Sequence, residues 1–185
     1  MPTREEQREQ SQNSIIEAGL RLFSENGFGS TSIRQIAKEA GISLGLVYNY
    51  FESKEDLLKS VIQECRMDVV TSFQETLDQD VTDLDEFIPA VFAQVEARPT
   101  FWRLVYMIRF QHGILIAVRQ EIDELLSLIY SRLEAYFRAA DAPNPVANAR
   151  LLFAAIVGIS SQMLTEPDYP DEMVIQQLIE TFKGK

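Results

Sequence analysis

One histidine, His112, and one cysteine, Cys65, leave acid–base, nucleophilic and metal chemistry few residues to work with. A histidine pair for a metal cannot be built within one chain. A Cys–His dyad would need these two residues, and nothing around either resembles a catalytic motif. No glycine-rich phosphate loop is present. The acidic run Asp78, Asp80, Asp83, Asp85 and Glu86 has some of the character of a calcium loop. Counted from Asp78, however, the sixth and twelfth positions hold Asp83 and Pro89, where such a loop needs glycine and glutamate. The run reads as a solvated loop with a helix cap. The residues predict no enzyme, no metal and no cofactor.

The richer chemistry is recognition. The stretch LGLVYNYF, residues 44–51, has a glycine near its start, three aromatic residues and no charge until Glu52. Gly45 costs about 1 kcal/mol of helix propensity relative to alanine, a cost that close approach of a partner's backbone would explain. Leu44 and Leu46 offer apolar contact, of the kind a thymine methyl makes. Val47 and Phe51 are expected to face a small core.

Several elements must position these groups, and nearly every segment reads as helix. Ile15, Ile16, Gly19, Leu20, Leu22 and Phe23 recur at helical spacing, and Asn26-Gly27 ends that helix. Thr31 or Ser32 offers an N-cap to a second helix with an apolar face of Ile33, Ile36, Ala37 and Ala40. Gly41 ends it, Ser43 caps the third helix, and Ser53 caps a fourth with Glu55 and Asp56 in its first turn. Two short helices across Gly41-Ile42-Ser43 have the layout of a helix-turn-helix. Ala37 and Ala40 allow a close crossing, and Gly41 takes the positive φ of the turn. Ile42 fills the corner. The third helix then leads with its N-terminus into a DNA major groove.

The segment TSIRQIAKEAGISLGLVYNYFESKEDLL resembles the DNA-binding region of the TetR family of bacterial transcriptional regulators. The likeness extends back through IIEAGLRLFSENGF, the family's first helix, and covers about the first third of the chain. It implies an all-α protein: a helix-turn-helix domain over residues 1–52, with the motif at about 32–51, and a helical effector-binding and dimerisation domain over 53–185. It also implies a double-stranded DNA operator, a homodimer, a small-molecule effector and a cytoplasmic location. Thr31, Ser32 and Arg34 lie at the start of the second helix, where hydroxyls, amides and a guanidinium can meet phosphate or a base edge. Ser43, Leu44, Gly45 and Leu46 form the leading tip of the reading helix. Tyr48, Tyr50 and Lys54 match positions that contact phosphates in the family, and Asn49 faces groove or backbone. Family members often carry threonine where Leu46 stands and histidine where Tyr50 stands.

Charge limits how DNA can be held. The chain has a net charge of −11, and residues 1–64 carry seven bases against ten acids. Residues 26–54 hold Arg34, Lys38 and Lys54 against Glu39 and Glu52, a net of +1. Any DNA contact must rest on a few well-placed groups rather than a broad positive field. Arg4 and Arg8 would add to it from a flexible arm.

Beyond the fourth helix, which runs to about residue 77, helices are expected near 84–97, 101–111, 118–140, 146–164 and 171–182. Asn144 should cap the penultimate one, with Pro145 in its first position. The most apolar run, LLFAAIVGI at 151–159, is far short of a membrane span. The run FWRLVYMIRF at 101–110 is apolar around its circumference and reads as buried. Its arginines, Arg103 and Arg109, would then need acidic partners. Alternatively Trp102, Arg103, Tyr106, Met107, Phe110 and His112 line a pocket for a partly apolar effector. Ala154, Gly158 and Ser161 form a small-residue face, and Ile175, Leu178, Ile179 and Phe182 an apolar one. The resemblance places such helices in a four-helix bundle between two subunits. The rivals are a helical protein-interaction module without specific DNA binding and, more remotely, an enzyme.

Overall fold

Thr3 begins the first helix, because its hydroxyl accepts from the Glu6 N–H while the Glu6 carboxylate accepts from the Thr3 N–H. This capping box satisfies two of the donors a helix start leaves open. In the computed structural model, which describes residues 3–77, 83–109, 111, 116 and 118–183, every regular element is an α-helix. The order is α1 (Arg4–Asn26), α2 (Ile33–Glu39), α3 (Leu44–Tyr50), α4 (Lys54–Leu77), α5 (Leu84–Ala97), α6 (Pro99–Ile108), α7 (Arg119–Ala139), α8 (Pro145–Met163) and α9 (Asp171–Phe182). Arg4 and Arg8 are therefore in the first two turns of α1, not in a flexible arm. Phe110, His112, Asp78 and Asp80 lie outside the described residues.

The chain divides into two compact units, Met1–Arg66 with Thr100–Glu121, and Met67–Pro99 with Ile122–Lys185. In the first, Ile15, Phe23, Ile36, Val47, Leu57, Leu58 and Val61 have no more than trace exposure. Gly19 lets α1 approach α4: a Cβ there would lie 3.3 Å from a Val61 methyl. Arg21 of α1 pairs with Glu39 of α2 on the surface. The α2–α3 turn is a Schellman closure. Gly41 sits at φ 71°, its N–H donates to the Lys38 carbonyl, and the Ile42 N–H reaches back to the Ala37 carbonyl. Helix α6 belongs to this unit, with the Met107 sulfur 3.6 Å from where a Gly27 Cβ would stand. Arg103 and Arg109 are exposed, which removes the expected need for buried acidic partners.

The second unit buries Phe87, Ile88 and Phe92 of α5, Leu133 and Phe137 of α7, and Leu152, Phe153 and Ile156 of α8. From α9 it adds Leu178, Ile179 and Phe182, at 7%, 3% and 7% exposure. The Phe182 ring lies 6.1 Å from that of Phe137. These three residues are packed against the core of the second unit. Lys183 pairs with Asp85, joining the end of α9 to the start of α5. The Lys183 ammonium holds the Asp85 carboxyl below its usual value of 3.8. The pair is thus intact above that range and is lost as acid protonates Asp85. Both groups are exposed, so its contribution to stability is small.

Helix α7 closes with Asp141 at φ 51°, while the N–H of the buried Ala142 donates to the Phe137 carbonyl. Asn144 adopts φ 56° and makes no side-chain cap bond, contrary to its expected role. Its backbone is left-handed rather than extended as an N-cap usually is, and Pro145 starts α8. Helix α8 is long and apolar enough to cross a membrane by length and composition, but its Leu152, Phe153 and Ile156 are packed inside the unit.

Candidate nucleic-acid interface

Helix α3 owes its start to Ser43, whose hydroxyl accepts from the Leu46 N–H at 3.2 Å. Val47 then points inward with no exposure, and Phe51 follows it at 3%. The remaining positions of the helix are open to varying degrees: Leu44, Leu46 and Tyr50 are half-buried, while Gly45, Tyr48 and Asn49 are exposed. Tyr48 is the extreme case, a large ring 55% exposed. A Cβ at Gly45 would meet nothing within 4 Å. The fold has no steric use for that glycine.

Helix α2 presents Arg34 to solvent at its second position. Ser32 is its N-cap, but its hydroxyl is already engaged. It accepts from the Gln35 N–H at 3.3 Å and donates to Gln35 Oε1 at 2.7 Å. Thr31 is the clearest correction. It is 3% exposed, and its hydroxyl proton is shared between the carbonyls of Leu22 (3.0 Å) and Gly27 (2.9 Å). Its hydroxyl fixes the α1–α2 turn. Lys54 is half-buried and donates to the carbonyls of Phe28 and Thr31.

Helix α1 adds a wall to this surface. Arg4, Glu5, Gln7, Arg8 and Ser11 of α1 face Leu46, Asn49 and Tyr50 of α3 across an open groove of about 660 Å³. The Arg8 guanidinium lies 6.0 Å from the centre of the Tyr50 ring, within cation–π range. The signal was present in the Thr3–Glu6 capping pattern, which puts Arg4 and Arg8 on the same helical face, one turn apart.

Of the expected pocket residues, Trp102 is buried and its ring lies 6.0 Å from that of Tyr106. The Met107 sulfur lies 3.6 Å from where a Gly27 Cβ would stand, and Arg103 is exposed. The second unit holds a group that the sequence did not flag. Ser160 is fully buried, and its hydroxyl has no hydrogen-bond partner among the described residues. Among the residues expected at an interface, Ala154 and Gly158 are exposed, and Ser161 and Ile175 are half-buried. Leu151, on the same helix as Ala154, is 61% exposed.

Residues 15–61 match the family described as bacterial regulatory proteins, tetR family. The transcriptional regulator HbdR of Aromatoleum sp. (strain CIB) is 36% identical over 102 residues, which is 53% of this chain and 44% of that protein. Matches to three such curated relatives span between 16% and 44% of their own lengths. A transcriptional regulator from Rhodococcus sp. Rha1 superposes with a TM-score of 0.79 at 20% identity, covering 92% of this chain and 93% of that one. FadR of Bacillus subtilis, solved in complex with stearoyl-CoA, gives 0.77 at 18% identity, covering 94% and 98%. At these identities the likeness establishes the fold. The match over residues 15–61 and the curated relatives make the N-terminal region similar to the tetR family of bacterial regulatory proteins, and the whole chain has the fold of these solved regulators.

Proposed function

We propose that the chain is a ligand-responsive transcriptional regulator that binds a pseudo-palindromic DNA operator as a homodimer. Residues 1–52 carry the DNA-reading helices, and residues 53–185 carry effector binding and dimerisation. The observation that supports this most is Gly45. It sits in the first turn of a short exposed helix, costs about 1 kcal/mol of propensity, and has no neighbour within 4 Å to account for it. A DNA backbone or base edge approaching the α3 tip accounts for it.

In this reading Ser43, Leu44, Gly45, Leu46 and Asn49 approach the major groove, and Arg34 reaches a base edge or phosphate. Tyr48 and Tyr50 direct hydroxyls at phosphates, and Ser32 contributes the amide end of α2. Few of these groups are charged, so base choice rests largely on apolar, backbone and water-mediated contacts and on DNA shape. A partly apolar effector, bound near Trp102 and Tyr106 or in the second unit beside the unpartnered Ser160 hydroxyl, would favour one spacing of the two reading helices. It changes DNA affinity only to the extent that it binds the two spacings differently. The simplest regulator of this kind is a repressor released by its effector.

The low local charge favours a second reading, a helical interaction module that no longer binds specific DNA. Selection from a library of random duplexes of about 30 base pairs, long enough for two half-sites about one helical turn apart, separates the two. A regulator enriches an inverted repeat and binds it with a steep salt dependence. An interaction module enriches nothing.

A further inference from the structure

Lys54 stands where the family likeness puts a phosphate contact, yet its ammonium is engaged inside the protein. It donates to the Phe28 carbonyl at 2.8 Å and to the Thr31 carbonyl at 2.9 Å, across 26 and 23 residues of chain. The same nitrogen lies 4.3 Å from the centre of the Phe28 ring, which packs against Phe23 at 5.2 Å between ring centres. An ammonium has three donors, so two are committed to this turn.

The location gives these bonds a consequence. Thr31 immediately precedes Ser32, the N-cap of α2, and its own hydroxyl is fixed on the carbonyls of Leu22 and Gly27. Lys54 is the first residue of α4, three positions beyond Phe51, which caps the end of α3. The Gly41 turn joins α2 and α3 at one end. At the other end the chain leaves α2 and α3 far apart in sequence, and the Lys54 amine spans that gap. We propose that Lys54 is a positioning residue for DNA recognition, tying the start of α2 to the end of α3 so that their DNA-facing ends keep a fixed spacing. The proposal rests on the DNA-binding reading above. It assigns the effect of Lys54 on affinity to geometry, with no phosphate contact of its own.

The two roles differ in salt dependence. A lost phosphate contact lowers the slope of log K against log salt by about 0.9. Lost positioning weakens binding at every salt concentration and leaves the slope unchanged. The test uses the full-length protein and the duplex that it selects, titrated by fluorescence anisotropy at a temperature where circular dichroism finds every variant folded. Lys54→Met, which keeps an apolar stem over Phe28, is expected to bind about tenfold more weakly, as fits loss of charge-assisted bonds, with the wild-type slope. Lys54→Arg, which can serve both carbonyls, is expected to bind nearly as the wild type does. Combining Lys54→Met with Thr31→Val should give less than the sum of the single losses, since both act on one turn. Lys54→Gln, with a donor left for one carbonyl, replaces Lys54→Met if that variant does not fold, and should also keep the wild-type slope. A slope reduced by about one, or losses that add, would overturn the Lys54 assignment alone. Failure of the wild-type protein to select any duplex would overturn the DNA-binding reading and this role with it.

Discussion

Thr31, Lys54 and Gly45 mark the limits of reading single residues. Thr31 and Lys54 have the types and positions of DNA contacts, but their polar atoms are used on carbonyls of the α1–α2 turn. No spacing rule reveals this, because the partners of Lys54 are backbone atoms more than 20 residues away. Gly45 was legible from propensity alone, and the empty space around it strengthens the inference. Tyr48 stands between these cases. Its ring is 55% exposed and has no packing role comparable to that of Val47. Tyr48→Phe should leave the melting temperature within error and weaken operator binding by about tenfold, the scale of one hydrogen bond to a charged oxygen. Anisotropy titrations at matched salt check this, and an unchanged affinity would remove Tyr48 from the phosphate contacts.

At the scale of elements, the turns were the most legible part. Asn26-Gly27, Gly41 and Ser43 each do what their residue types predict, because cap and turn chemistry is local. The start of α1 was less visible, since residues 4–14 carry no apolar repeat to betray a helix. Asn144 misled for a related reason. Its type suits a cap, but it has a left-handed backbone after the α7 closure and makes no side-chain cap bond. The α2–α3 turn offers a direct test of local chemistry. Gly41 holds φ 71°, a conformation that a β-branched residue adopts only with strain. Gly41→Val should lower stability by about 2 kcal/mol and loosen the α2–α3 angle. Denaturant unfolding would register the first effect, and a loss of DNA affinity larger than the lost folded fraction would register the second.

At the scale of the molecule, the helical class and the order of helices could be read from periodicity, but the sharing of residues between units could not. Helix α6 reads as a central element of the C-terminal region, yet residues 100–121 belong with the N-terminal helices. Apolar patterning says that a face is buried and is silent on what buries it. The same ambiguity attends Leu178, Ile179 and Phe182, whose apolar face is packed in the core of the second unit. What remains open on that side is the face of α8 with Leu151, Ala154 and Gly158, together with Met173 of α9, which is 68% exposed. A dimer built there should sediment as such at micromolar concentration, and Leu151→Glu should convert it to a folded monomer. A wild-type monomer would contradict that interface. The central claim is that α3 reads DNA with its glycine-bearing tip, and binding of Gly45→Gln to the selected duplex tests it most directly. The variant is expected to be folded and dimeric and to have lost at least a hundredfold in specific affinity, about 2.7 kcal/mol. Wild-type affinity in that variant would contradict it.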